Sequence, residues 1–164
     1  SQVGINEKEL CKYLSTFKGV KRRFQLVYNS KKEILIDDYA HHPNEINAVW
    51  NALEDIFPYY KKCVIFQPHL YSRTKDFMNE FAEVLSKFDR IVLLPIYPAR
   101  ELPIKGISSS VLKGKIKSKN VVELVKREDL VSVIKTFPEK IKVVLGAGDI
   151  GMEIQKIKEK LKYL

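Results

Sequence analysis

Six consecutive positions, Asp37-Asp38-Tyr39-Ala40-His41-His42, hold two carboxylates, a phenol and two imidazoles, between an apolar run and Pro43. Imidazoles accept or carry a proton near neutral pH, and carboxylates can grip hydroxyls, cations or backbone N–H groups. A second group, FQPHLYSRTKD over residues 66–76, adds His69, Tyr71, Ser72 and Arg73. A third, PIYPARE over residues 95–101, adds Tyr97, Arg100 and Glu101. Capping a helix would occupy one or two of the first cluster's polar residues, not five. Zinc held by Asp38, His41 and His42 is a second reading. It needs three or four convergent ligands, and adjacent histidines seldom point at one ion, so no metal site is expected.

Gly146-Ala147-Gly148-Asp149-Ile150-Gly151 is formally GxGxxG between a strand and a helix. Dinucleotide binding would need a following βαβ unit and an acidic residue about 20 positions on. The sequence stops at Leu164, so a tight turn and close helix packing are expected there instead of a dinucleotide.

The elements that must position these groups follow from apolar spacing. Residues 24–28 and 33–37 flank Asn29-Ser30-Lys31-Lys32, which predicts a β-hairpin. Ile46, Val49, Trp50, Leu53 and Ile56 recur at helical spacing, predicting a helix over 44–57. Further strands are expected at 63–66, 90–96, 121–122 and 141–145. Helices are expected at 76–88, 110–113, 129–137 and 150–161. Strand–helix alternation with continuously apolar strands implies an α/β domain. It would be a three-layer, Rossmann-like, mostly parallel sheet with one antiparallel edge hairpin strand. In such a sheet ligands sit beyond the carboxyl ends of the strands. The three polar clusters and the glycine turn are the loops at that end.

Composition narrows the function classes. The 164 residues are 45% hydrophobic, enough for one domain with a real core. The net charge of +9 comes from lysines scattered in short fragments, the densest being residues 113–119. No aromatic-basic stripe suited to stacking bases accompanies them, so small anionic substrates are favoured over nucleic acid. No apolar run approaches the ~20 residues of a membrane span, and no signal segment opens the chain. Cys11 and Cys63 lie far apart, without CxxC spacing, and read as ordinary thiols of a reducing compartment. A cytoplasmic protein is expected. The start at Ser1-Gln2 suggests a processed chain or a piece of a longer one.

Taken in order, FKGVKRRF (17–24), DDYAHHPNE, FQPHLYSRTKD, PIYPARE and GAGDIG resemble the C-terminal domain of the Mur ligases over nearly the whole chain. The pattern is most similar to the member that adds L-alanine to UDP-N-acetylmuramate. The tripeptide-recycling branch shares the DxAHHP-type turn but lacks HxYSRT. What the resemblance implies is an ATP-dependent, ADP-forming amide ligase of peptidoglycan synthesis. There a carboxylate is phosphorylated by ATP, and the alanine amine attacks the acyl phosphate. It further implies a single domain over residues 1–164 of a three-domain enzyme. The N-terminal and central domains would carry the sugar-nucleotide site, the phosphate loop and most Mg2+ contacts. The sequence has no GxxxxGK[ST], so this chain is not expected to complete the reaction alone.

By the same resemblance, Arg23 reaches ATP phosphate on closure, Asp38 holds the ribose hydroxyls and Tyr39 borders the nucleotide pocket. His41 lies at the alanine amine as the catalytic base, and His69 and Arg73 hold the alanine carboxylate. His42 supports the loop. Leu70 stands where a basic residue is usual, and Lys75 where arginine is usual. The carboxylate grip therefore rests on Arg73 with fewer partners, or recruits Arg100, which otherwise forms a solvated pair with Glu101. A stand-alone nucleotide-binding module without catalysis is the rival reading.

Overall fold

The computed structural model describes residues 4, 6–17, 19–117 and 121–162. Lys18 of the FKGVKRRF stretch, and Ser118 and Lys119 of the lysine tract, lie outside the described residues. Three strands, β2 (Ile34–Asp38), β3 (Lys62–Phe66) and β6 (Ile141–Leu145), are buried at every position. Such runs have no solvent face to alternate with, so they must be covered on both sides. With β1 (Gln25–Asn29), β4 (Arg90–Leu93) and β5 (Val121–Leu124) they form one sheet in the order β1-β2-β6-β3-β4-β5. Every pairing is parallel except β1 with β2, which are antiparallel. The Ser30 N–H donates to the Glu33 carbonyl at 2.8 Å and closes that hairpin. The fold class expected from the sequence is the one observed.

Alternate strand residues feed two cores. Ile34, Ile36, Val64, Phe66, Ile91, Leu93, Val143 and Leu145 pack against α2 (Pro43–Ile56), α4 (Met78–Leu85) and α5 (Ser109–Lys115). Leu35, Cys63, Ile65, Val92 and Val144 face α6 (Arg127–Val133) and α7 (Ile154–Lys162) on the other side. Phe66, Phe81 and Phe88 are fully buried in the first core, each contributing about 1.5–3 kcal/mol of transfer free energy. Among the described residues no helix is long and apolar enough to cross a membrane.

Several elements differ from expectation. The helix predicted over 76–88 begins earlier and is broken: α3 (Tyr71–Asp76) and α4 meet at Phe77, whose φ of −112° and ψ of 25° leave the helical region. The last two helices open or close in 3₁₀ turns, at Ile134–Thr136 after α6 and Asp149–Glu153 before α7. The strand expected over 90–96 ends at Leu93. An unpredicted helix, α1 (Glu7–Leu14), precedes the sheet, capped by Asn6, and buries none of its residues.

What matters for the site is direction. β2, β3, β4 and β6 are parallel, so their following loops emerge at one edge of the sheet. β1 runs the other way, which brings its leading residues Arg22, Arg23 and Phe24 to that same edge.

Candidate functional site

The turn after β2 is held by its own polar side chains. Asp38, 7% exposed, accepts the Phe24 N–H at 2.6 Å on one carboxylate oxygen and the Ala40 N–H at 2.7 Å on the other. Each oxygen keeps a second lone pair for a further donor. His42 is the N-cap of α2: its Nδ1 accepts the Asn44 N–H at 3.3 Å and its ring packs edge-on against Phe77 at 4.5 Å. Glu45 completes the cap by accepting the His41 and His42 N–H groups at 2.9 and 3.2 Å. Burial alone would raise the Glu45 carboxyl, but those N–H groups, His41 and Arg23 outweigh it and hold it below its usual range. His42 and Glu45 are therefore capping groups, and Pro43 at the first helical position adds the preset φ of a helix start.

His41 points elsewhere. Its Nδ1 lies 2.8 Å from the Tyr39 carbonyl oxygen. A carbonyl only accepts, so Nδ1 carries the proton, and in the neutral ring Nε2 bears the free lone pair. Tyr39, 37% exposed, stands edge-on to His41 with centroids 5.3 Å apart. The guanidinium carbons of Arg22 and Arg23 lie 5.1 and 5.7 Å from the Tyr39 ring centre, within cation–π range. Arg23 is exposed.

On the other side of His41 comes the loop after β3. The rings of His41 and His69 are 5.9 Å apart, and His69 stacks on Tyr97 from the loop after β4 at 5.6 Å. Arg73, one turn into α3, donates to His69 Nδ1 at 3.3 Å. That assigns the proton of the neutral His69 ring to Nε2. Burial first, then the charges of Arg73 and His41, push the His69 imidazolium below the ordinary histidine range, with Glu101 opposing. His69 thus remains a neutral donor beside a permanent cation. Arg73 forms no ion pair among the described residues, leaving its charge available.

The helix carrying Arg73 is held from outside. Leu70, at its N-cap, has a left-handed φ of 73° and offers no side-chain cap. Glu101 substitutes from the loop after β4: it accepts the Ser72 N–H at 2.9 Å and the Ser72 hydroxyl. The expected solvated pair of Arg100 with Glu101 is corrected here. Glu101 is committed to Ser72, whose hydroxyl and N–H hold its carboxyl below the usual range, while Arg100 is exposed.

The GAGDIG turn contributes walls. A Cβ on Gly148 would lie 2.5 Å from Gln67 Oε1 and 2.7 Å from the Tyr97 ring, and Gly146 has φ of 147°. Gln67 bridges the two loops, donating to Asp149 at 2.7 Å and accepting the Ile150 N–H at 3.0 Å. The glycines are explained by this close packing. Among the described residues no three His, Cys, Asp or Glu side chains converge on a point that could hold a metal ion; His41 and His42 turn to different partners.

All six residues singled out from the sequence lie at this edge, joined by a file of rings running Tyr39, His41, His69, Tyr97. Two cations flank the file, Arg23 by Tyr39 and Arg73 by His69. Two contributors were missed. Glu101 was read as solvent-facing, and Arg22 was hidden in a basic triplet. No local signal distinguishes either, since both act through residues distant in sequence.

A mainly parallel doubly wound sheet with basic, histidine-bearing loops at its carboxyl edge defines an α/β domain of the class whose ligands sit beyond the carboxyl ends of the strands. The chain belongs to the Mur ligase family: the model of the "Mur ligase, glutamate ligase domain" matches residues 22–150. UDP-N-acetylmuramate–L-alanine ligase of Flavobacterium psychrophilum is 50% identical over 96% of this chain and 35% of that protein. The ligase of the same name from Christiangramia forsetii is 50% identical over 99% of this chain and 36% of its own length. The crystal structure of UDP-N-acetylmuramate–alanine ligase from Thermotoga maritima superimposes with a TM-score of 0.78 at 26% identity, covering 99% of this chain and 35% of that one. This chain spans about a third of the length of these relatives.

Proposed function

We propose that residues 1–164 are the C-terminal domain of a three-domain, ADP-forming ligase that joins L-alanine to UDP-N-acetylmuramate in the cytoplasm. The observation that carries this is the ring file in which His41 lies between Tyr39 and His69: the Arg23 cation stands by the phenol on one side and the Arg73 cation by the imidazole on the other. The half-identical relatives of that name support alanine over the recycled tripeptide as the incoming amine. In this reading Tyr39 flanks the nucleotide, Asp38 offers its remaining lone pairs to the ribose hydroxyls, and Arg23 meets phosphate as the domains close. Arg73 grips the alanine carboxylate as a two-pronged donor, with His69 Nε2–H beside it. His41 Nε2 accepts the amine proton as the nitrogen attacks the acyl phosphate. Mg2+, bound mainly by the N-terminal and central domains, would neutralise charge on the transferring phosphoryl group. Those domains also bring the phosphate loop and the sugar-nucleotide site.

The test is phosphate release. The full-length enzyme should release phosphate only when ATP, UDP-N-acetylmuramate and L-alanine are all present, and the 164-residue chain alone should release none. Release by this chain alone, or release indifferent to alanine, would overturn the reading.

A further inference from the structure

Arg22 has no part in the function proposed above, yet it is the most connected cation at the site. Its Nε lies 3.3 Å from the Asp37 carboxylate, buried on the face of β2 opposite Asp38. Its guanidinium also donates to the Gly146 carbonyl, at the end of β6. The main chain is fixed as well: its N–H donates to Gln25 at 3.0 Å and its carbonyl accepts the Tyr39 N–H at 2.8 Å. Its φ of 57° is left-handed, a conformation that a long side chain keeps only when its surroundings hold it. Space for the guanidinium exists because residue 151 is glycine. A Cβ there would lie 2.8 Å from the guanidinium carbon. Arg22 therefore ties three segments together: the approach to β1, the end of β2 and the GAGDIG turn. Its guanidinium also lies over the ring of Tyr39.

We infer that Arg22 is a positioning residue for the nucleotide half of the site: locked by Asp37, Gly146 and the absence of a side chain at Gly151, it sets where Tyr39 and its neighbour Arg23 stand. This rests on the ligase reading for its kinetic consequence, though not for its geometry. The ion pair is turned inward, so Arg22 spends its charge on Asp37 and the carbonyl while Arg23 remains free for a ligand. Arg22 and Arg23 thus divide the labour of an otherwise symmetrical pair.

Two measurements test this. In the full-length enzyme, Arg22→Ala and Asp37→Asn should raise the ATP KM by about tenfold or more while the alanine KM stays within about threefold. Asp37 matters most, because it is buried beneath the turn and cannot reach a nucleotide. Arg22→Lys keeps a charge for Asp37 but loses the fork and should fall between. Gly151→Ala, which adds one methyl group against the guanidinium, should move the ATP KM in the same direction. In the 164-residue chain, Arg22→Ala and Gly151→Ala should both shift the NMR signals of Tyr39 and Ala40 and leave those of His69 in place, whatever the protein catalyses. An unmoved Tyr39 signal overturns the latch itself. With Tyr39 shifted, an ATP KM that stays put in the full-length variants overturns the link to nucleotide binding. An effect confined to Arg22→Ala, absent from Asp37→Asn and Gly151→Ala, would make Arg22 a direct ligand and overturn the positioning role. If every KM rises in step with a falling Tm, the latch serves only stability. A wild-type enzyme inert on all three substrates would sink the ligase reading instead, with the NMR arm still deciding the latch.

Discussion

Arg73→Ala in the full-length enzyme raises the alanine KM by about tenfold to a hundredfold, with a much smaller effect on the ATP KM. A charge-assisted pair is worth about 1.5–3 kcal/mol, and about 1.4 kcal/mol is a factor of ten. The carboxylate is gripped in the ground and transition states alike, so the loss falls mainly on KM. Arg73→Lys recovers part of it, since one ammonium replaces a planar fork. The same change should be visible without substrate. Arg73 is one of the groups holding the His69 imidazolium below the ordinary range, after burial. In the 164-residue chain, Arg73→Gln therefore moves the His69 titration midpoint upward, read by the ring proton shifts. The sign for stability follows. A histidine whose folded pKa is lowered stabilises the fold at pH values above its unfolded pKa, and this is lost as pH falls through the folded value. Arg73→Gln should thus flatten the acid limb of the stability profile. An unchanged alanine KM with an unmoved His69 midpoint would remove Arg73 from the site.

His41→Ala fails in a different way. Its Nδ1 proton is committed to the Tyr39 carbonyl, so the ring acts through Nε2, and its contribution grows only as the amine attacks. General-base assistance contributes about 10²–10⁴ in rate, so kcat drops by about a hundredfold or more while the alanine KM moves little. The deficit shrinks as pH rises and more alanine arrives deprotonated. A variant whose Tm falls and whose KM values rise for all three substrates would mark His41 as a loop support. The loop already has such a support in His42, which caps α2 and packs on Phe77.

The contrast between the two adjacent histidines marks how far the sequence could be read. His42 was expected to support the loop from the family resemblance, and the structure shows how: it is the N-cap of α2, directly before Pro43, with Glu45 completing the cap. The buried strands were legible because β2, β3 and β6 have no polar face to hide. Their parallel arrangement followed from the helices between them, and with it the edge at which all six candidate residues gather. What stayed hidden depends on contacts between segments. The YSRTKD stretch has no apolar periodicity and its helix is capped by Glu101, 29 residues away from Ser72. Arg22 looks identical to Arg23 until Asp37 and Gly151 claim it. α1 is the exception: Asn6 and the early acids Glu7 and Glu9 are ordinary start signals. It went unpredicted because its apolar face has no strand beside it to suggest a layer.

In the proposed ligase this domain seats the nucleotide and the alanine on opposite sides of His41. The most direct measurement is a structure of the full-length enzyme with ADP and the alanylated product bound. The product's alanyl carboxylate should lie at about 3 Å from the Arg73 guanidinium, within hydrogen-bond distance. The nucleotide should lie against Tyr39, and the new amide nitrogen on the Nε2 side of His41. A carboxylate held instead by another domain, with Arg73 and His69 facing solvent, would contradict it.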